Sequence, residues 1–457
     1  MNESRTLANY VVNTSYEDLP AEVVEVQKKA LLDAISVTLA ASTLGEGCRE
    51  FVELAMETGG KPESTIIGFD TKVPAMMAAF ANASMAHSLD FEDAYDKALL
   101  HPNAAAIPAA LAVSEALGNV NGKELITALV LGSDIACRMG LALNEDLLKY
   151  GWYMPPVMGA FGATAAVCKL LKLDERQVLD AFSLTLCQAT CSAEITHSPQ
   201  SVIRSIREAF AAKVGVLSGL LAQKGARGFD QPLEGKAGFY FSYAKGNYDL
   251  SKLTEDLGNT YESANISFKK WPSCRGTHPY IDAALQIVKE YKLATCEIEK
   301  IHLVVSPWNT VLCEPLEEKQ RPETPINAKF SIPFIVAAAL VYGDVTLDHF
   351  TPEALQNPEV LALAAKVTYE VDKTLSREQT LFSDTQIFTK QGVLSRRVER
   401  PYGHPLNPIS QEDLLAKLIN CVKYSAKKIS EKNIHTLAQH ISTLEKQENV
   451  KDIVSLL

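Results

Sequence analysis

Histidines and carboxylates crowd one stretch of this chain. The run Ala86-His87-Ser88-Leu89-Asp90-Phe91-Glu92-Asp93, followed by His101-Pro102-Asn103, brings two histidines and several carboxylates within sixteen positions, then enters the small, apolar segment from Ala104 to Pro108. Polar groups beside buried helix are paired or used, because burying even a neutral one without a partner costs roughly 2–7 kcal/mol. The spacing points to the lip of an active site built on His87, Asp90, Asp93 and His101. The competing reading is a capping loop, in which Asn103 or Asp96 starts a helix and His101 is a satisfied neighbour.

Three further clusters carry polar groups among apolar surroundings. In Gly151-Trp152-Tyr153-Met154-Pro155-Pro156, Tyr153 is either a phenol donor or a packing aromatic. In the stretch from Ser201 to Ala209, Arg204 and Arg207 stand three apart on one helical face. They are placed to grip carboxylates in bidentate fashion, or to make structural ion pairs with Glu194 and Glu208. In the stretch from Lys269 to Pro279, which holds Lys269 and Arg275, His278 sits just before a helix opened by Pro279. A helix dipole lowers the pKa of such an imidazole. A neutral, exposed histidine there suits general acid–base work, with a plain capping role as the alternative. No GxGxxG, P-loop, HExxH or GxSxG motif occurs, nor a clustered Asp/His ligand set. Neither a cofactor nor a metal is expected.

These residues need a scaffold, and the first 265 residues read as helix after helix. Apolar positions recur at helical spacing from Pro20 to Thr43, and further helices are expected from Pro74 to His87, Pro108 to Leu117, Gly122 to Leu143 and Pro156 to Leu171. The last has small residues on nearly every face, as a buried central helix does. Beyond Tyr261 the texture changes. Short β-type runs appear at Ile301–Val305 and Val367–Val371, and a hairpin at Gln386–Lys390 and Val393–Glu399, with helical patterns at Tyr280–Lys292 and Ser331–Tyr342. From Ser410 the chain is helical again. The expected fold is mainly α: a helical domain from residues 1–265 and 402–457, with an α+β lid domain at 266–401 between them.

Composition narrows the class. A chain of 457 residues leads one to expect two domains. A net charge of −11 argues against a nucleic-acid partner. No apolar stretch reaches membrane-spanning length and the N-terminus lacks a secretory pattern, so a cytoplasmic protein is expected. The nine cysteines show no CxxC pair, most sit in apolar stretches as reduced buried thiols do, and Cys187 and Cys191 read as core.

The clusters, in this order, resemble the MmgE/PrpD family. The resemblance runs through Tyr16-Glu17-Asp18-Leu19-Pro20, Leu31-Leu32-Asp33, His87 to Asp93, His101-Pro102, Phe161-Gly162-Ala163, Gly225 to Pro232 with Glu234-Gly235, Thr277-His278-Pro279, Phe330 to Phe334, and Gly403-His404-Pro405 with Asn407-Pro408. It implies a homodimer without metal or organic cofactor that dehydrates, decarboxylates or epimerises a small carboxylic acid. Asp90, His101 and His278 match family pocket positions. Three sites depart: Ala94 stands where Thr is common, Tyr153 where His is usual, and Arg204 where Lys is usual, with Arg207 where a His is common. The implied activity is a lyase acting on a small, anionic di- or tricarboxylate by abstracting a proton α to a carboxylate. His101 and His278 would be acid–base groups, Asp90 an orienter or base, and Arg204, Arg207, Lys269 and Arg275 carboxylate binders. An epimerase with Tyr153 as second acid is the nearest alternative, and a catalytically silent carboxylate-binding dimer the next.

Overall fold

The computed structural model describes residues 2–198, 201–376 and 379–457. It divides into two compact units, Met1–Phe268 with Ser410–Leu457, and Lys269–Ile409.

The first unit is built from helices, and those that frame the histidine-rich stretch are α1 (Ala21–Leu44), α2 (Ala75–Ser88), α3 (Pro102–Leu117), α4 (Gly122–Leu141), α5 (Met154–Leu170) and α6 (Glu208–Gln223). Helix α4 starts with a capping box, Asn121 accepting from the Glu124 amide while Glu124 accepts from the Asn121 amide. Helix α5 is buried along nearly its whole length, and its small residues are the reason it can be. A Cβ on Gly162 would lie 2.6 Å from the Gly132 carbonyl oxygen of α4. One on Gly215 of α6 would lie 2.9 Å from the Ala163 carbonyl carbon. Only near-bare backbones permit such crossings.

Helix α3 begins six residues before the expected Pro108. Pro102 occupies its first turn, where a missing N–H costs nothing, and Pro108 lies inside the helix. An internal proline forfeits the bond to the carbonyl four residues back. Here that loss is tolerated by a helix buried on every face from Pro102 to Glu115.

The second unit opens with α7 (His278–Tyr291) and continues through β1 (Ile298–Val305), α8 (Ile332–Tyr342), β2 (Val367–Val371), β3 (Ser383–Thr389) and β4 (Gly392–Val398). Its sheet runs in the order β2-β1-β3-β4. β1 is parallel to β2 and antiparallel to β3, and β3 and β4 form the hairpin. A parallel neighbour requires a crossover, and α8 lies within it. Tyr280 and Ile281 of α7, Ile301 and Leu303 of β1, and Phe334 and Ile335 of α8 share one core. The chain re-enters the first unit with α9 (Gln411–Val422). The molecule is thus mainly α, with strands concentrated in a smaller α+β unit.

Five of the nine thiols are buried; Cys296 is exposed and Cys274 half-buried, and the two read specifically as core depart from that expectation. Cys187 is exposed and Cys191 half-buried, because the helix before them ends at Leu186 and they fall in the loop beyond it. Among the described residues, no helix is long and apolar enough to cross a membrane.

Candidate active site

Helix α2 ends at Ser88, and the chain turns sharply, with Asp90 in the left-handed region at φ 50°. Asp tolerates that region better than most residues. The loop then runs outward and is pinned where the Ala94 and Ser267 backbones exchange hydrogen bonds of 2.8 and 2.7 Å. It returns to His101, whose backbone caps α3.

This excursion folds the two histidines onto one carboxylate. His101 Nδ1 lies 3.0 Å from Glu92 Oε1 and 2.9 Å from the Asp93 carbonyl oxygen. His87 Nδ1 donates to the same Glu92 Oε1. The imidazoles meet edge to face, centroids 4.8 Å apart. His101 Nε2 points toward Asp90, 3.9 Å from Oδ1. Asp90 and Glu92 are buried, and His101 keeps slight exposure.

Burial sets the protonation states. Desolvation, followed by the nearby Arg207 charge, pushes the His87 pKa down to about 3, so its ring is neutral. Burial works to raise the pKa of Glu92, but His87 and His101 outweigh it and hold the carboxyl well below its ordinary range. Asp93 is pushed up to about 7 by burial and then by Asp33, although Asn103 donates to it at 3.0 Å.

A cation stands beside the cluster. Arg207 is buried at the start of α6, with Nε 3.5 Å from Glu208 Oε1 and its guanidinium over the Tyr153 ring, 5.0 Å from the centroid. It also donates to the Arg204 carbonyl oxygen. Glu208 is fully buried, and burial raises its pKa to about 7 against the opposing pull of Arg207. Room for Glu208 comes from Gly159, where a Cβ would approach Oε2 to 3.1 Å. A cavity of about 660 Å³ borders Arg207, walled by Pro156, Ala160, Ile195, Phe210 and Leu217. That volume lies in the range of small-molecule sites.

The expected residues therefore fall into two groups. Asp90, His101, Tyr153, Arg204 and Arg207 belong to the first unit. There Asp90 meets His101, and Arg207 meets Tyr153. Arg204 is half-buried and Arg207 is the deeply buried arginine, because the helix breaks between Ile206 and Glu208. Lys269, Arg275 and His278 belong to the second unit and are all buried. His278 was expected to be exposed; instead its ring packs against Trp271 at 5.2 Å, with Nδ1 3.2 Å from Arg275 Nη1. The first turn of α7 points inward, which is the reason for the difference.

Glu92 and Glu208 were not among the expected site residues, and His87 was placed at the lip of the site without a role of its own. Glu92 lies in a loop without period, so no spacing rule singles it out. Nor did the sequence display a ligand cluster, whereas the fold brings ligand-type atoms of His87, Asp90, Glu92 and His101 within 4.8 Å of one another. His87 Nδ1 donates to Glu92 Oε1, and His101 Nδ1, 3.0 Å from that same oxygen, bonds the Asp93 carbonyl oxygen at 2.9 Å, so the two rings and the carboxylate form one contiguous polar network.

Residues 5–251 match the MmgE/PrpD N-terminal domain, and residues 271–443 the MmgE/PrpD C-terminal domain. The chain belongs to the MmgE/PrpD family. It is 26% identical to the cis-aconitate decarboxylase-like protein oryM of Aspergillus oryzae, covering 100% of this chain and 97% of that protein. It is 27% identical to cis-aconitate decarboxylase of Homo sapiens, covering 96% and 91%. With 2-methylcitrate dehydratase of Salmonella typhimurium the identity is 22%, covering 81% and 78%. These MmgE/PrpD relatives are lyases by name, in accord with the enzyme class expected from the sequence.

Proposed function

We propose that this MmgE/PrpD protein is a lyase that works without metal or organic cofactor on a small di- or tricarboxylic acid. The observation that carries the reading is the meeting of an oriented imidazole, His101, with Asp90 in a buried site that also holds Arg207. Arg207 binds a substrate carboxylate and stabilises the added negative charge of an enolate-like intermediate. His101 Nε2 takes the proton α to that carboxylate. The C–H electron pair forms the enolate, which collapses to a double bond as a β-hydroxyl leaves and is protonated to water. In the decarboxylating form the pair comes from the C–C bond as CO2 departs, and carbon then takes a proton. The decarboxylases share more of this chain than the dehydratase does, which favours loss of CO2.

His278 of the second unit is proposed as a proton donor. Arg275 Nη1 can only donate, so His278 Nδ1 accepts from it and the neutral ring carries its proton on Nε2. Lys269, Arg275 and Arg204 remain candidates for binding further carboxylates. Tyr153, held under Arg207, supports one second reading: epimerisation, with the phenol returning the proton on the other face.

Incubation with a panel of unsaturated and hydroxylated di- and tricarboxylates in D2O, followed by proton NMR, separates these outcomes. Loss of CO2 or water supports the lyase, and deuterium exchange with inversion alone supports the epimerase. With no change on any acid, the protein is a binder. Arg207→Ala is expected to raise KM about tenfold or more, since a charge-assisted pair is worth roughly 1.5–3 kcal/mol. His101→Gln and His278→Gln should each lower kcat by roughly 10²-fold or more. A native rate in either variant removes that histidine from the mechanism.

A further inference from the structure

Two imidazoles share one oxygen of a fully buried carboxylate. Both groups facing His101 Nδ1, Glu92 Oε1 at 3.0 Å and the Asp93 carbonyl at 2.9 Å, can only accept hydrogen bonds when Glu92 is ionised. His101 Nδ1 must therefore carry hydrogen, which leaves the lone pair of the neutral ring on Nε2, the atom aimed at Asp90. The same logic holds at His87, whose Nδ1 also faces Glu92 Oε1. Glu92 Oε2 makes no hydrogen bond among the described residues. The side chain thus spends its acceptor capacity on the two rings.

We infer that Glu92 is the positioning residue of this site: together with the Asp93 carbonyl it fixes the tautomer and direction of His101 so that Nε2 is the basic nitrogen, and it holds His87 against the back of that ring as a brace. Its charge also stabilises the imidazolium formed when His101 takes a proton, as a buried carboxylate behind a catalytic histidine does. The second imidazole makes the arrangement a shared one. His87 anchors Glu92 from the end of α2, so the carboxylate is held from a helix as well as from its own loop. The kinetic consequence rests on His101 acting as the base, as proposed above; the tautomer does not.

The test uses the full-length protein and the variants Glu92→Gln and Glu92→Asp. Two-bond ¹H–¹⁵N spectra report the tautomer, with the His101 signals assigned by their loss in His101→Gln. In the native protein at a pH where the ring is neutral, Nε2 should show the shift of an unprotonated nitrogen. In Glu92→Gln, whose amide can also donate, a mixture of tautomers is expected. Turnover of the acid identified in the D2O experiment should fall roughly 10–100-fold in kcat, with KM within about threefold of native. Glu92→Asp keeps the charge on a shorter arm and should recover part of kcat. A purely structural role would instead lower thermal stability without moving the tautomer or splitting kcat from KM. If Glu92→Gln does not fold, Glu92→Asp decides: a native tautomer with native kcat overturns the inference. An unchanged tautomer in Glu92→Gln overturns it outright. A changed tautomer with unchanged kcat upholds the orienting role and removes His101 as the base. The two proposals therefore fail separately.

Discussion

Asp93 carries a pH signature at the scale of a single side chain. Its pKa in the fold, about 7, lies above the ordinary 3.8. The folded state then keeps a proton that the unfolded chain releases, so the stability this group contributes is full below about pH 4 and is lost as pH rises toward 7. Native protein should lose stability relative to Asp93→Asn across that window, by at most roughly 1.4 kcal/mol per pH unit. Urea unfolding of both proteins at several pH values between 5 and 7.5 measures the difference. Parallel trends would mean that Asp93 is ionised in the fold. His87, with its lowered pKa, pulls the other way, but it is present in both proteins. Asp90, His101 and Arg207 could be singled out in the sequence because their types and spacing are suggestive. The acceptor that orients the rings could not, since Glu92 looked like one more acid in an acidic loop.

At the scale of elements, α4 and α5 cross with almost nothing between their backbones. Gly162→Ala would thrust a methyl to 2.6 Å from the Gly132 carbonyl and force the helices apart. Overpacking of this kind costs about 1–3 kcal/mol. A shift of the denaturant midpoint with an unchanged slope should report it. Loss of less than about half a kcal/mol would show that the crossing can relax. The small-residue character of α5 was legible in the sequence as the mark of a central helix. Which glycine faces which carbonyl was not, because the register of a crossing depends on both helices. The early start of α3 was missed for a related reason. Pro108 reads locally as a helix opening, and only burial on all sides lets the helix continue through it.

At the scale of the whole chain, the C-terminal segment reaches back to the loop that carries the site. Lys417 of α9 is buried, with Nζ 2.6 Å from Asp33 Oδ1 of α1 and 2.6 Å from the Phe91 carbonyl oxygen, and 3.7 Å above the Phe91 ring. Phe91 lies between Asp90 and Glu92, so this cation holds the backbone from which both site carboxylates project. Removing one partner of a buried pair leaves the other as an uncompensated charge, at a cost of roughly 3–5 kcal/mol. Lys417→Met should lose that much in equilibrium unfolding, and adding Asp33→Asn should restore most of it. Full stability in the single variant would mean that the pair is replaceable.

The sequence by itself determined the alternation of textures, helical to about residue 265, mixed to about 400, then helical again, because periodicity is a local property of the side chains. It also held enough motif residues, in order, to mark the family. Tertiary structure decided which polar groups act together. Residues 87, 92 and 101 meet because the loop between α2 and α3 leaves and returns, and that path is set by contacts with residues 267 and 417, far away in the chain. It also decided protonation, since burial and neighbouring charge, neither visible in a string of letters, hold His87 neutral and move Asp93 and Glu208 toward pH 7.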